Sequence, residues 1–249
     1  MQHLFQFNSE LHQTTDIPRR LWLRSLLWAS ILLCILTTSS VFAHGVAEGD
    51  KAFFQQNKGM QLIPYLYLGA KHMVTGYDHL LFLFGVVFFL YRMRDVGLYV
   101  SLFAIGHSTT LLLGVWNGWH INPYLVDTVI GLSVVYRAFD NLSGFSKVFG
   151  VQPNKKAAVL IFGFFHGLGL ATKLQDFALS KDGLIPNMLA FNVGVEIGQL
   201  LALGMILVVM RYWRATASFV STAFKANVIL MASGFLLAGY QFTGYILNK

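Results

Sequence analysis

Charge is scarce in this chain, and so is cysteine. Only 12% of the 249 residues are Asp, Glu, Lys or Arg, about half the share of an ordinary soluble domain. The one cysteine, Cys34, falls in a stretch expected to be removed, which excludes disulfides and thiolate metal sites from the mature chain. No GxxxxGK[ST] loop occurs, so no nucleotide-driven work is indicated. The formal charge of +7 does not point to nucleic acid, because the basic residues sit in short segments between apolar runs. There they are better placed to set orientation in a bilayer.

Hydrophobic residues make up 55% of the chain, and several runs approach or exceed the length that spans a bilayer. The expected fold is therefore an all-α membrane protein. Arg19, Arg20 and Arg24 precede the apolar run Leu26 to Leu36, and small residues follow at Val41 and Ala43. A basic region, a short apolar core and small residues in that order predict a cleavable signal peptide over 1–43. A periplasmic segment over 44–61 and a six-helix transmembrane domain over 62–249 complete the division. Cleavage would make His44 the new N-terminus, where amine and ring together could chelate a metal.

Leu62 to Met73 is apolar but carries Pro64 and Gly69, and Thr75-Gly76 follows; it reads as a short outer-face helix, lying on that face or dipping into it. Six spans are expected after it: 77–91, 96–116, 124–142, 156–172, 187–210 and 225–247. With a periplasmic start, the inner connections hold Arg92 and Arg94, then Arg137, Lys147, Lys155 and Lys156, then Arg211, Arg214 and Lys225. The outer connections hold no base between Asn117 and Pro123, and in the other Lys173 and Lys181 are offset by Asp176 and Asp182. This asymmetry predicts a bacterial inner-membrane protein with both mature termini periplasmic.

Ionisable residues inside such segments are costly and usually find a partner or a function. His72, Asp78, His79 and Asp127 form an expected outer tier, and His107, His166 and Glu196 a tier at mid-membrane. A lone carboxylate at that depth costs on the order of 3 kcal/mol. Asn192, Glu196 and Gln199 recur at i, i+4 and i+7 on an otherwise apolar helix, and Ser108 adjoins His107, so Ser108, Asn192 and Gln199 are candidate supports for the ligands. Imidazoles with carboxylates and no thiolate suit Ni²⁺, Co²⁺ or Zn²⁺, whereas Mg²⁺ or Ca²⁺ would prefer an all-oxygen cage.

Five stretches in order, Gly76-Tyr-Asp78-His79-Leu-Leu-Phe, Gly106-His107-Ser108-Thr-Thr-Leu, Asp127-Thr-Val-Ile-Gly-Leu-Ser133, Phe162-Gly-Phe-Phe-His166-Gly-Leu-Gly and Phe191-Asn-Val-Gly-Val-Glu196-Ile-Gly-Gln, resemble the HupE/UreJ family. Its members are hydrogenase and urease accessory membrane proteins regarded as nickel or cobalt permeases. The Gly-His-Ser-Thr and His…Asp-His stretches are also similar to the larger nickel/cobalt transporter family, in which the first His stands four residues before Asp-His. Here five residues separate His72 from Asp78, and Asp127 stands where a Glu is expected.

The resemblance implies transport of a divalent metal ion, nickel or cobalt, with Zn²⁺ and Cu²⁺ as alternatives. It implies no prosthetic group, nucleotide or nucleic acid, the lipid bilayer as surroundings, and a homo-oligomer or a metalloenzyme as the protein partners left open. Two other readings use the same residues. One is an intramembrane metal-dependent hydrolase, with Glu196 or Asp78 as general base on a metal-bound water. The other is a metal-delivery subunit that does not transport.

Overall fold

A computed structural model describes residues 59–175 and 182–248. The expected signal peptide, Cys34 and His44 lie outside the described residues. Within them the chain is all-helical, with eight helices and no strand: α1 (Leu62–Thr75), α2 (Tyr77–Val87), α3 (Met93–Asn117), α4 (Pro123–Asn141), α5 (Gly144–Phe149), α6 (Lys155–Gln175), α7 (Leu184–Arg214) and α8 (Phe219–Leu247). By length and composition, α3, α6, α7 and α8 are able to cross a membrane.

Local chemistry sets several boundaries. Asn122 caps α4 by accepting from the Tyr124 N–H at 3.0 Å, with Pro123 at the first helical position, where its missing donor costs nothing. Gly118 ends α3 in the left-handed region at φ 64°, which a side chain would strain. Asn187 ties the start of α1 to α7, donating to the Gly59 carbonyl and accepting from the Gln61 N–H at 2.7 Å.

Three helix pairs form the bundle: α3 with α6, α1 with α7, and α4 with α8. Each seam is closed by glycine, because apolar side chains gain little by leaving lipid for protein, and close backbone approach drives helix association instead. A Cβ added at Gly163 would stand 2.5 Å from the Phe103 carbonyl oxygen, one at Gly198 2.5 Å from that of Ala70, and one at Gly131 2.6 Å from the Ala238 nitrogen. The outward faces stay apolar, with Ile105, Leu113, Leu200, Leu201, Phe235 and Leu236 all exposed. Such surfaces suit hydrocarbon rather than water.

The α1–α7 pair decides between the two placements expected for α1. Rather than lying across the outer face, α1 runs alongside α7 and in the same direction: Gln61 meets Asn187, Leu66 meets Gly194, and Met73 meets Gly198. Its 14 residues advance about 21 Å. The helix then breaks at Gly76, and α2 continues for 11 residues, about 16 Å.

The helix expected to reach Tyr91 stops at Val87 because its last carbonyls are taken by side chains. Asn141 donates to Gly85 at 2.9 Å, Arg137 to Gly85 and Val86 at 3.4 and 3.3 Å, and Arg214 to Leu90, Val87 and Phe88. Two guanidiniums and an amide thus satisfy the negative end of a short helix. α2 is the inner element of the bundle, with His79, Phe82, Leu83, Val86 and Val87 buried.

Gly198→Val is expected to destabilise the protein by about 3 kcal/mol, since the added branch meets backbone that cannot retreat. Gly204→Val, on the same helix but with nothing within 4 Å of its Cβ position, is the matched control. Detergent-solubilised melting curves of the two variants check this; equal melting temperatures would show that the α1–α7 seam is not close-packed.

Candidate functional site

The break at Gly76 places α2 so that its first turn, not its last, meets the middle of α3 and α6. His79 stands on that turn and is 3% exposed. Its ring centroid lies 5.1 Å from that of His72 on α1, 5.7 Å from His107 on α3 and 4.9 Å from His166 on α6. Two imidazoles sharing one ion at about 2.1 Å have ring centroids on the order of 5 Å apart. The outer and middle histidine tiers expected from the sequence therefore merge into one cluster with His79 at its hub. The reason is the length of α1, which carries the chain far along α7 before α2 begins.

Hydrogen bonds fix which ring nitrogens are free. His166 donates from Nδ1 to the Phe162 carbonyl at 2.7 Å, which leaves a lone pair on Nε2. His79 directs Nδ1 to Asp78 Oδ1 at 2.9 Å, and Asp78 also accepts from the His79 N–H at 2.8 Å. A carboxylate behind an imidazole is the arrangement that orients a metal-ligating histidine and raises its basicity. Nε2 of His72, His79, His107 and His166, together with Nδ1 of His107, is buried without a hydrogen-bond partner. Buried polar atoms are normally satisfied, so orphaned nitrogens gathered in one place call for a ligand. Among the described residues, no three His, Cys, Asp or Glu side chains already surround one ion-sized point. The imidazoles are gathered but not closed into a fixed cage.

Aromatic rings wall the cluster. Phe103 packs against His79, His107 and His166 at 6.3, 5.9 and 5.1 Å, and Phe82 against His166 at 5.1 Å. Neither was singled out from the sequence, although Phe82 is three residues after His79 and Phe103 four before His107, spacings that share a helix face.

Of the carboxylates, Asp127 lies with His72 and Asp78 as expected, and Glu196 does not join the middle histidines. Asp127 is buried and ion-paired with Lys173, its two oxygens lying 2.9 and 2.7 Å from the ammonium. Both line a pocket with His72, Gly76, Asp78 and Gln241. Lys173, which the charge pattern assigned to an outer connection, sits on the last turns of α6 and points inward.

Glu196 is bonded to Ser108 Oγ at 2.9 Å on the α3–α7 seam, not to the imidazoles. Successive helical residues diverge by about 100°, so Ser108 faces α7 while His107 faces His79. Gln199 donates to the Val100 carbonyl at 3.2 Å, and its Oε1 and Asn192 Oδ1 have no partner. The polar stripe on α7 is thus a separate feature beside the histidine cluster.

A family model described as HupE / UreJ protein matches residues 48–249. No curated protein and no solved structure matches the chain.

Proposed function

We propose, from the premise that this chain belongs to the HupE/UreJ protein family, that it carries a divalent transition-metal ion, nickel or cobalt in the first place, across the bacterial inner membrane. The observation that carries this reading is His79 and the three imidazoles around it, all four with a buried, unpartnered Nε2. In this reading α1 and α2 together make the first of six membrane passages, broken at Gly76. Residues 1–43 are a removed leader, and both mature termini are periplasmic.

The ion enters the pocket at the Asp127 end and exchanges water for His72, Asp78 and Asp127. It then passes to His79 and on to His107 and His166. Discontinuous helices meeting at mid-depth are a recurrent way of building such sites, because a break exposes backbone and side-chain ligands where a continuous helix would hide them. Asp78 sets the tautomer of His79, and Phe82 and Phe103 exclude water. The membrane potential supplies about 2.3 kcal/mol per elementary charge per 100 mV, roughly twice that for a dication, so no nucleotide is required. A gathered but unclosed set of ligands suits an ion that must leave again.

The hydrolase reading would need a resident metal and a free general base. The candidate base Glu196 is bonded to Ser108 on the α3–α7 seam and not to the imidazoles, which favours the carrier. The deciding experiment is a panel of Ni²⁺, Co²⁺, Zn²⁺ and Cu²⁺ uptake into liposomes bearing the purified protein. The expected result is saturable Ni²⁺ or Co²⁺ uptake driven by an inside-negative potential, with readily exchangeable metal. Stoichiometric metal that survives purification, without uptake of any of the four ions, would favour the hydrolase instead.

A further inference from the structure

Lys173 is a half-buried cation in the mouth of a site that the proposed function assigns to cations. Its ammonium holds both oxygens of Asp127, at 2.9 and 2.7 Å, and the pocket they line also presents His72 and Asp78. Its side chain retains 23% exposure, so its flexible stem has a route by which the head can swing out to solvent.

We propose that Lys173 is a tethered cation that occupies Asp127 when no metal is bound and that an incoming ion must displace. This deepens the transport reading and rests on it. A displaced ammonium raises the threshold for every ion equally, because each must replace the same Asp127–Lys173 contact. Ions differ in what they gain in return. Ni²⁺ or Co²⁺ gains an imidazole nitrogen, the unpartnered Nε2 of His72. Mg²⁺ and Ca²⁺ prefer oxygen and gain only the carboxylates. Lys173 thereby keeps a carboxylate-lined mouth from filling with abundant Mg²⁺ between transport events. It sets a common threshold, and the preference for borderline metals comes from the His72 imidazole.

The test is titration of CoCl₂ into the purified full-length protein, with and without MgCl₂ in the millimolar range, for the wild type, Lys173→Gln and Lys173→Arg. Removing the ammonium is expected to tighten Co²⁺ binding at least about tenfold and to make Mg²⁺ an effective competitor. Arginine pairs with a carboxylate through a rigid fork, so Lys173→Arg is expected to weaken Co²⁺ binding. A residue needed only for structure would move both variants in the same direction. If the two affinities shift together, or neither shifts, while the wild type binds Co²⁺, the inference fails and the transport reading stands. If the wild type binds neither Co²⁺ nor Ni²⁺, both fail. Should Lys173→Gln not fold, Lys173→Arg decides alone, and unchanged or tighter binding overturns the proposal.

Discussion

His79→Ala is expected to lower Ni²⁺ or Co²⁺ binding and uptake roughly a hundredfold, more than alanine at His72, His107 or His166. The ranking follows from position. His79 has ring contacts with each of the other three histidines, at 5.1, 5.7 and 4.9 Å, so its loss separates the pocket side of the cluster from His107 and His166. Loss of His107 leaves His72, His79 and His166 in place, and roughly a tenfold effect is expected. Asp78→Asn should resemble a partial His79 defect, because the carboxylate behind Nδ1 is what fixes the ring. Binding titrations and liposome uptake of the alanine series check this, with melting temperature as the control for folding. If His79→Ala binds metal within about twofold of the wild type while His107→Ala does not, the hub assignment is wrong.

The second large effect is structural. Arg137→Ala is expected to cost about 3 kcal/mol, at the low end of the range for breaking a buried ion pair. Arg137 and Asp140 are 2.8 Å apart with side chains 4% and 1% exposed, so truncation leaves a carboxylate in an apolar interior. Gln152 at 2.6 Å and Lys155 at 3.3 Å still reach Asp140, which keeps the loss from being larger. The same truncation releases the Gly85 and Val86 carbonyls at the end of α2. Uptake should therefore fall along with stability, because α2 carries His79. The double variant Arg137→Met/Asp140→Asn removes both charges and should recover part of the stability without recovering the α2 cap. Denaturation in mixed micelles reads the first quantity, and metal uptake the second. A single variant as stable as the wild type would show that the pair is not what holds this end of α2.

Much of the fold was legible because membrane helices leave a coarse signal. The apolar runs around His107, His166, Glu196 and Leu230 each became a long helix, and no strand occurs among the described residues. The placement of α1 was left open. Gly76 and the residues before it look like an ordinary helix boundary, and periodicity does not reveal whether the preceding 14 residues lie across a surface or beside α7. That depended on Gly69, Gly194 and Gly198 meeting backbone more than 100 residues away in the chain. The capture of α2 by Arg137 and Arg214 was hidden for a similar reason. A base near the end of a span reads as an orientation signal, and its partners become visible only once the helices are assembled.

The candidate site divides in the same way. Residue types alone identified His72, Asp78, His79, His107, His166, Asp127 and Glu196, because charge and imidazole are rare and costly where the chain is otherwise apolar. Their grouping was not available from spacing. Depth had been counted from helix ends, and a broken helix invalidates that count, so His79 was placed a tier away from the rings it touches. Glu196 fell to Ser108, and Asp127 to Lys173. Composition and sequence pattern determined that this chain is helical, suited to lipid, and equipped with imidazoles and carboxylates in apolar segments. Only the packing of α1 against α7, and the break at Gly76, decided which of those side chains meet, because contact between distant helices depends on backbone approach that no local pattern encodes.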